Sequence, residues 1–164
     1  MAVSFSAFLS KFPEVKLPVS ITEDTASEYG AENEPLSERM IAEHILPIEN
    51  TAEVDDDMTE YVPCFRIAGL KDFHALVYWK ASLLNYQYIL ATFETNGKPI
   101  DRQVIAGTFS DGRTIFRSLA RVDEDMTIYI VSGHVEGADE NYDANNSTAR
   151  EIELLPGGRM VELA

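Results

Sequence analysis

A chain of 164 residues, 45% of them hydrophobic, has the length of one ordinary domain and enough apolar material to bury a core. Twenty-eight acids against 13 lysines and arginines leave a formal charge of −15, which repels phosphate backbones and anionic lipid and so disfavours nucleic acid and membrane as partners. The single cysteine, Cys64, excludes an intramolecular disulfide. With no signal-peptide pattern and no run of spanning length, a cytoplasmic protein is expected.

The first element is a short helix. Phe5, Phe8, Leu9 and Phe12 share a face, Ser4 can cap it, and Pro13 stops it. Its only cation is Lys11, so core packing is favoured over a membrane-surface role. Val15 to Ile21, broken by Pro18, reads as an extended edge segment, where proline is tolerated. Thr22 to Glu34 is small and acidic and reads as an exposed loop. A second helix is predicted from Pro35 or Ser37 to Leu46, with Met40, Ile41, His44 and Ile45 on one face and Pro47 ending it. Glu49 to Glu60, centred on Asp55-Asp56-Asp57, reads as a mobile acidic linker.

From Tyr61 the period becomes two. Tyr61–Ile67, Phe73–Lys80, Leu84–Glu94, Lys98–Phe109, Arg113–Val122 and Met126–Val135 are predicted strands. In Phe73–Lys80, Phe73, Ala75, Val77 and Trp79 alternate with His74, Leu76, Tyr78 and Lys80. Both faces are partly apolar, which places this strand centrally. His74 to Ala91 taken alone also fits an apolar helix, but its Val, Tyr, Trp and Ile content favours strands. Asn96-Gly97 signals a two-residue type I′ hairpin, and Ser110-Asp111-Gly112 and Asp123-Glu124-Asp125 close the next two. After a polar excursion from Glu136 to Thr148, a last hairpin turns at Pro156-Gly157-Gly158.

The block Tyr61–Gly137 resembles a family of small, uncharacterised bacterial proteins. The shared pattern is Tyr86-x-Tyr88-Ile89-Leu90-Ala91-Thr92-Phe93, then Ile100-Asp101-Arg102 with Ile105-Ala106-Gly107, Ser110-Asp111-Gly112, Asp123-Glu124-Asp125 and Ile128-Tyr129-Ile130. The resemblance implies a curved antiparallel sheet and brings no activity with it.

Catalytic and metal signatures fail on inspection. Cys64 sits in an apolar strand, without a base at signature spacing. Gly107 to Gly112 has one residue too many for a nucleophile elbow and lies between antiparallel strands. His134-Val135-Glu136 lacks the Pro-Cys-x-x-Cys of a zinc deaminase. The loop from Asp139 to Asn145 alternates oxygen side chains like a calcium loop. It has Ala144 where glycine is needed and Arg150 in place of the final glutamate. No catalytic residue, metal site or cofactor is therefore assigned.

A binding face is left. Arg117 and Arg121 lie on one side of their strand with Ile115 and Leu119, Arg102 is on a neighbouring strand, and Tyr86, Tyr88 and Tyr129 lie near them. With His74 and His134 as further polar groups, these eight form the candidate ligand-binding set. The expected fold is α+β: a single domain over 1–164, with a helical and acidic-loop segment over 1–60. Its two short N-terminal helices pack on a curved, half-barrel-like antiparallel meander of about seven or eight strands over 61–164. The expected role is a non-catalytic binding or protein-interaction module, taking a protein or a small anionic ligand. The alternative is a small enzyme or ligand carrier with a pocket between the helices and the concave sheet face.

Overall fold

The computed structural model describes residues 4–49, 59–136 and 147–163. The acidic triplet Asp55–Asp57 and the Asp139–Asn145 loop lie outside the described residues. The chain is mostly strand, with one large, mostly antiparallel sheet that does not close and a few short helices.

Helix α1, Phe5–Leu9, forms as its sequence predicts: the Ser4 hydroxyl accepts from the Ala7 N–H at 3.1 Å, and Phe8 and Phe12 are fully buried. The expected edge segment splits at Pro18 into β1, Glu14–Val15, and β2, Val19–Ile21. The region expected to be a loop holds a second helix, α2, Thr25–Glu32. It starts in reciprocal bonds, the Thr22 N–H to the Thr25 hydroxyl and the Thr25 N–H to the Thr22 carbonyl. Tertiary contacts complete it: Tyr29 packs on Phe65, and Asn33 at its C-cap donates to the carbonyls of Pro63 and Cys64.

The next helix begins at the expected cap, Ser37, with α3, Glu38–Met40. It passes through a π-helical turn, Ile41–Ile45, and ends as α4, Leu46–Glu49. Pro47 was expected to stop it. The wider turn, in which the Leu46 N–H reaches the Ile41 carbonyl, lets the helix continue through a residue with no N–H to give.

Eight further strands follow: β3 Glu60–Ile67, β4 Phe73–Ser82, β5 Asn85–Glu94, β6 Pro99–Ser110, β7 Thr114–Val122, β8 Thr127–Glu136, β9 Thr148–Leu154 and β10 Met160–Leu163. From β3 to β10 each pairs with its chain neighbour, β1 adds in parallel to β3, and β2 pairs with β7. The expected seven or eight strands become 10 because the two short pieces beside Pro18 both join the sheet.

Two hydrophobic clusters lie on either side of β4 and β5, as the alternation predicts. Phe73, Ala75, Val77 and Leu90 join Ile21, Phe65, Val122, Ile128 and Ile152 in one. Leu76, Tyr78, Ile89 and Phe93 join Phe8, Phe12, Met40 and Ile45 in the other, under the helices. Phe8, Phe12, Val77, Ile89, Leu90, Ile105 and Ile130 are buried, whereas Ile41 is only half-buried and Phe116 is 41% exposed. Ile41 opens the π turn and packs at the margin of the helix-side cluster. Phe116 shares a strand face with Ala120 and Val122, yet only those two lie over the core, and Phe116 stays at the open end against Phe109 and His134.

The Asn96-Gly97 hairpin also differs from expectation. It is a three-residue loop: the Gly97 N–H bonds the Glu94 carbonyl at 2.8 Å, the Glu94 N–H bonds the Lys98 carbonyl at 2.8 Å, and Gly97 alone is left-handed, at φ +97°. The same loop recurs at Asp123–Thr127 and Leu155–Arg159, with Met126 and Gly158 in the left-handed position.

Candidate functional site

The site grows out of the junction of β5, β6 and β7. A bulge opposite Tyr88 and Ile89 bends β6, and β6 holds β7 only over Gly107–Ser110 before β7 leaves to pair with β2. The bend passes through Gly107 at φ +147°, where a Cβ would lie 2.1 Å from the Tyr86 carbonyl oxygen. Only glycine fits there.

Trp79 with Tyr88, Tyr86 with Thr108, and Thr108 with Arg117 are cross-strand partners, so these five side chains share one face. They line a cleft of about 280 Å³ with Gly107 and Glu23. One wall is a parallel stack of Trp79 and Tyr86, with ring centroids 5.6 Å apart and planes within 5°. The other is Arg117, whose Nε lies 3.3 Å from Glu23 Oε1, both side chains being half exposed. Tyr88 ties the cleft to α2: its hydroxyl accepts the Ala26 N–H at 2.8 Å. Burial pushes that hydroxyl up to about 12, so it holds its proton and serves as a fixed polar group.

A second hollow of about 190 Å³ lies back to back with this cleft, on the opposite side of Gly107 and Thr108, lined by Gln87, Phe109, Phe116, Ser118, Ile130 and Arg150 among others. Arg150 is ion-paired with Glu162, and the hydroxyls of Ser118 and Ser132 share a hydrogen bond. A third hollow beside Leu17, Leu70 and Met126 offers no aromatic wall.

Of the eight candidate residues, the structure brings Tyr86, Tyr88 and Arg117 together in the cleft. Arg121 and Tyr129, cross-strand partners of each other, continue the Arg117 face of the sheet, and Arg121 Nη2 lies 3.4 Å from Asp123. His134 packs on Phe116, 5.7 Å between centroids. His74 is half-buried against Phe5 under α1. Arg102 is turned away, toward the helices.

Arg102 belongs to an arrangement that sequence reasoning missed. Glu49, read as the first residue of a linker, ends α4 with its carboxylate buried. Its Oε2 accepts from the Tyr78 hydroxyl at 2.6 Å and lies 2.8 Å from Arg102 Nε, without the alignment of a hydrogen bond. Its Oε1 accepts from Lys80 Nζ at 2.7 Å. Desolvation, together with the adjacent carboxylate, drives the Tyr78 hydroxyl far above its ordinary value. The available signal was the alternation that put Tyr78 and Lys80 on the helix side of β4. Trp79, Thr108 and Gly107 were also missed as cleft residues, though alternation from Val77 places Trp79 correctly.

The remaining chemistry is subdued. Cys64 is fully buried, and desolvation pushes its thiol up to about 12, far from a reactive thiolate. Among the described residues no three His, Cys, Asp or Glu side chains gather to hold a metal, and no helix is long and apolar enough to cross a membrane. Compared with known proteins, the chain matches no family model, no curated protein and no solved structure.

Proposed function

We propose that this protein is a non-catalytic binding module whose Trp79–Tyr86–Arg117 cleft receives a small planar ligand carrying one anionic group. The carrying observation is the parallel Trp79–Tyr86 stack opposite a half-exposed arginine, across a floor that only glycine can form. A ring extends the stack on the exposed face of Tyr86, worth about 0.5–1.5 kcal/mol. Arg117 presents its terminal nitrogens to a carboxylate in the bidentate geometry that arginine favours. The net charge of −15 favours a singly charged ligand over a polyphosphate. The firmly protonated Tyr88 and Cys64 support binding rather than proton transfer or nucleophilic attack.

The reading includes a cytoplasmic setting, no nucleic-acid or membrane partner, and a half-barrel-like curvature that presents the cleft at its open end. The alternative, a pocket between helices and sheet, has less support, because Phe8, Phe12, Tyr78 and Phe93 fill that space.

Trp79 is the chain's single tryptophan, so its fluorescence reports on the cleft without further labelling. Titration with a panel of aromatic carboxylates, with the matching neutral amides as controls, should change it saturably for the acids. Tyr86→Ala and Arg117→Ala should each weaken binding about tenfold. Equal response to acids and amides, or binding untouched by both substitutions, refutes the proposal.

A further inference from the structure

The outward face of β7 to β10 carries half of the large hydrophobic side chains that the described chain exposes. They are Val131 at 49%, Val161 at 46%, Leu119 at 44%, Leu163 at 40% and Tyr129 at 36%. Cross-strand pairing makes them one surface: Leu119 opposes Val131, Val131 opposes Ala149, and Glu151 and Glu153 oppose Leu163 and Val161. Charge on this surface is divided. Arg117 and Arg121 stand on β7, with Asp123 beside Arg121 just past the end of that strand, while Glu151 and Glu153 stand on β9, with the apolar residues of β8 between them.

We infer that this face pairs with the same face of a second copy of the chain. Arg121, Tyr129 and Glu151 form one row across three strands. A two-fold axis running along β8 in the plane of contact exchanges the two sides of that row. Arg121 of each copy then lies over Glu151 of the other, Leu119 approaches Ala149, and the two Val131 side chains meet on the axis. The other in-plane axis, across the strands, sets arginine over arginine and glutamate over glutamate and is repulsive. Sheets packed face to face keep their strands within about 30° of each other, so the row-on-row match survives the twist.

Four strands about 4.8 Å apart and about 3.4 Å of rise per residue make a face roughly 15–20 Å on a side. Counting both copies, that is roughly 500–800 Å², below the size of stable interfaces, so the dimer is a weak and transient one, expected to dissociate at about 100 µM or above. The cleft is not required for this contact, so the inference stands apart from the ligand proposal.

Sedimentation velocity of the full chain at about 150 mM salt, where screening reaches about 8 Å, tests it. The wild type should shift from monomer to dimer with concentration. Val131→Asp, which sets two carboxylates against each other on the axis, should abolish the dimer. Arg121→Glu should weaken it about tenfold or more, and adding Glu151→Arg should restore it. All substituted side chains are exposed, so each variant should keep the wild-type circular dichroism and Trp79 emission. A wild type that stays monomeric to the highest concentration reached overturns the inference. So does a dimer indifferent to Val131→Asp, or a charge-swapped double variant no better than Arg121→Glu alone.

Discussion

Glu49→Gln is the most informative single change, because the substitution keeps the shape and removes only the charge. The side chain of Glu49 is 1% exposed and faces two cations, Lys80 at 2.7 Å and Arg102 at 2.8 Å, besides the Tyr78 hydroxyl. Breaking a fully buried pair by removing one partner costs about 3–5 kcal/mol. Here the orphaned cations are not fully sealed: the side chains of Lys80 and Arg102 are 18% and 30% exposed and can regain some water. The glutamine carbonyl still accepts one hydrogen bond. A loss of about 2–3 kcal/mol follows, which for a chain of this size lowers Tm by about 5–10 °C. Urea unfolding followed by circular dichroism should show a lower midpoint at unchanged slope. Arg102→Met should cost clearly less in the Glu49→Gln background than in the wild type, with a coupling of about 1–2 kcal/mol. A Glu49→Gln variant within about 0.5 kcal/mol of wild type, or additive costs in the double variant, would refute the claim that this carboxylate holds the helices to the sheet.

Gly107→Ala should cost about 3 kcal/mol or more, since its Cβ has only backbone 2.1 Å away to displace; a urea midpoint near that of wild type would contradict this. Burial and the positive charge of Arg66 hold the His74 imidazole below its ordinary value of 6.5, so the unfolded chain takes up this proton first. Its stability contribution is thus full above about pH 6.5 and is lost as pH falls from there toward the folded-state value. The stability advantage of wild type over His74→Gln should shrink across that window, and parallel pH profiles would speak against it. Cys64, fully buried, should react with a thiol reagent only at the rate of opening, so reaction of the native protein at the free-thiol rate would refute its burial.

What the sequence revealed and what it hid divide along the range of the interactions. Strand alternation is local, and it placed Phe73, Val77 and Leu90 on one side of the sheet and Leu76, Tyr78 and Ile89 on the other. The Ser4 and Ser37 caps are local too, and both form. Helix α2 was hidden because its partners lie far along the chain: Tyr88 receives its Ala26 amide, and Phe65 receives Tyr29. Glu49 was hidden for the same reason, since three residues from two other strands give its charge a place in the interior. Within the candidate set, Tyr86, Tyr88 and Arg117 met because one cross-strand ladder carries them. Arg102 went elsewhere because the β6 bulge separates its face from theirs.

The segment from Glu14 to Ile21 has a consequence for how the molecule assembles. Its first part borders β3, and its second part takes the place beside β7 that β6 gives up. One short stretch near the start of the chain therefore seals two margins of the sheet that would otherwise stand open. The second margin exists only once the chain through Val122 is in place, so this clasp joins segments about 100 residues apart. Without it, rows of unpaired amides and carbonyls would stand open to any neighbouring chain, so the clasp protects the sheet against edge-to-edge association.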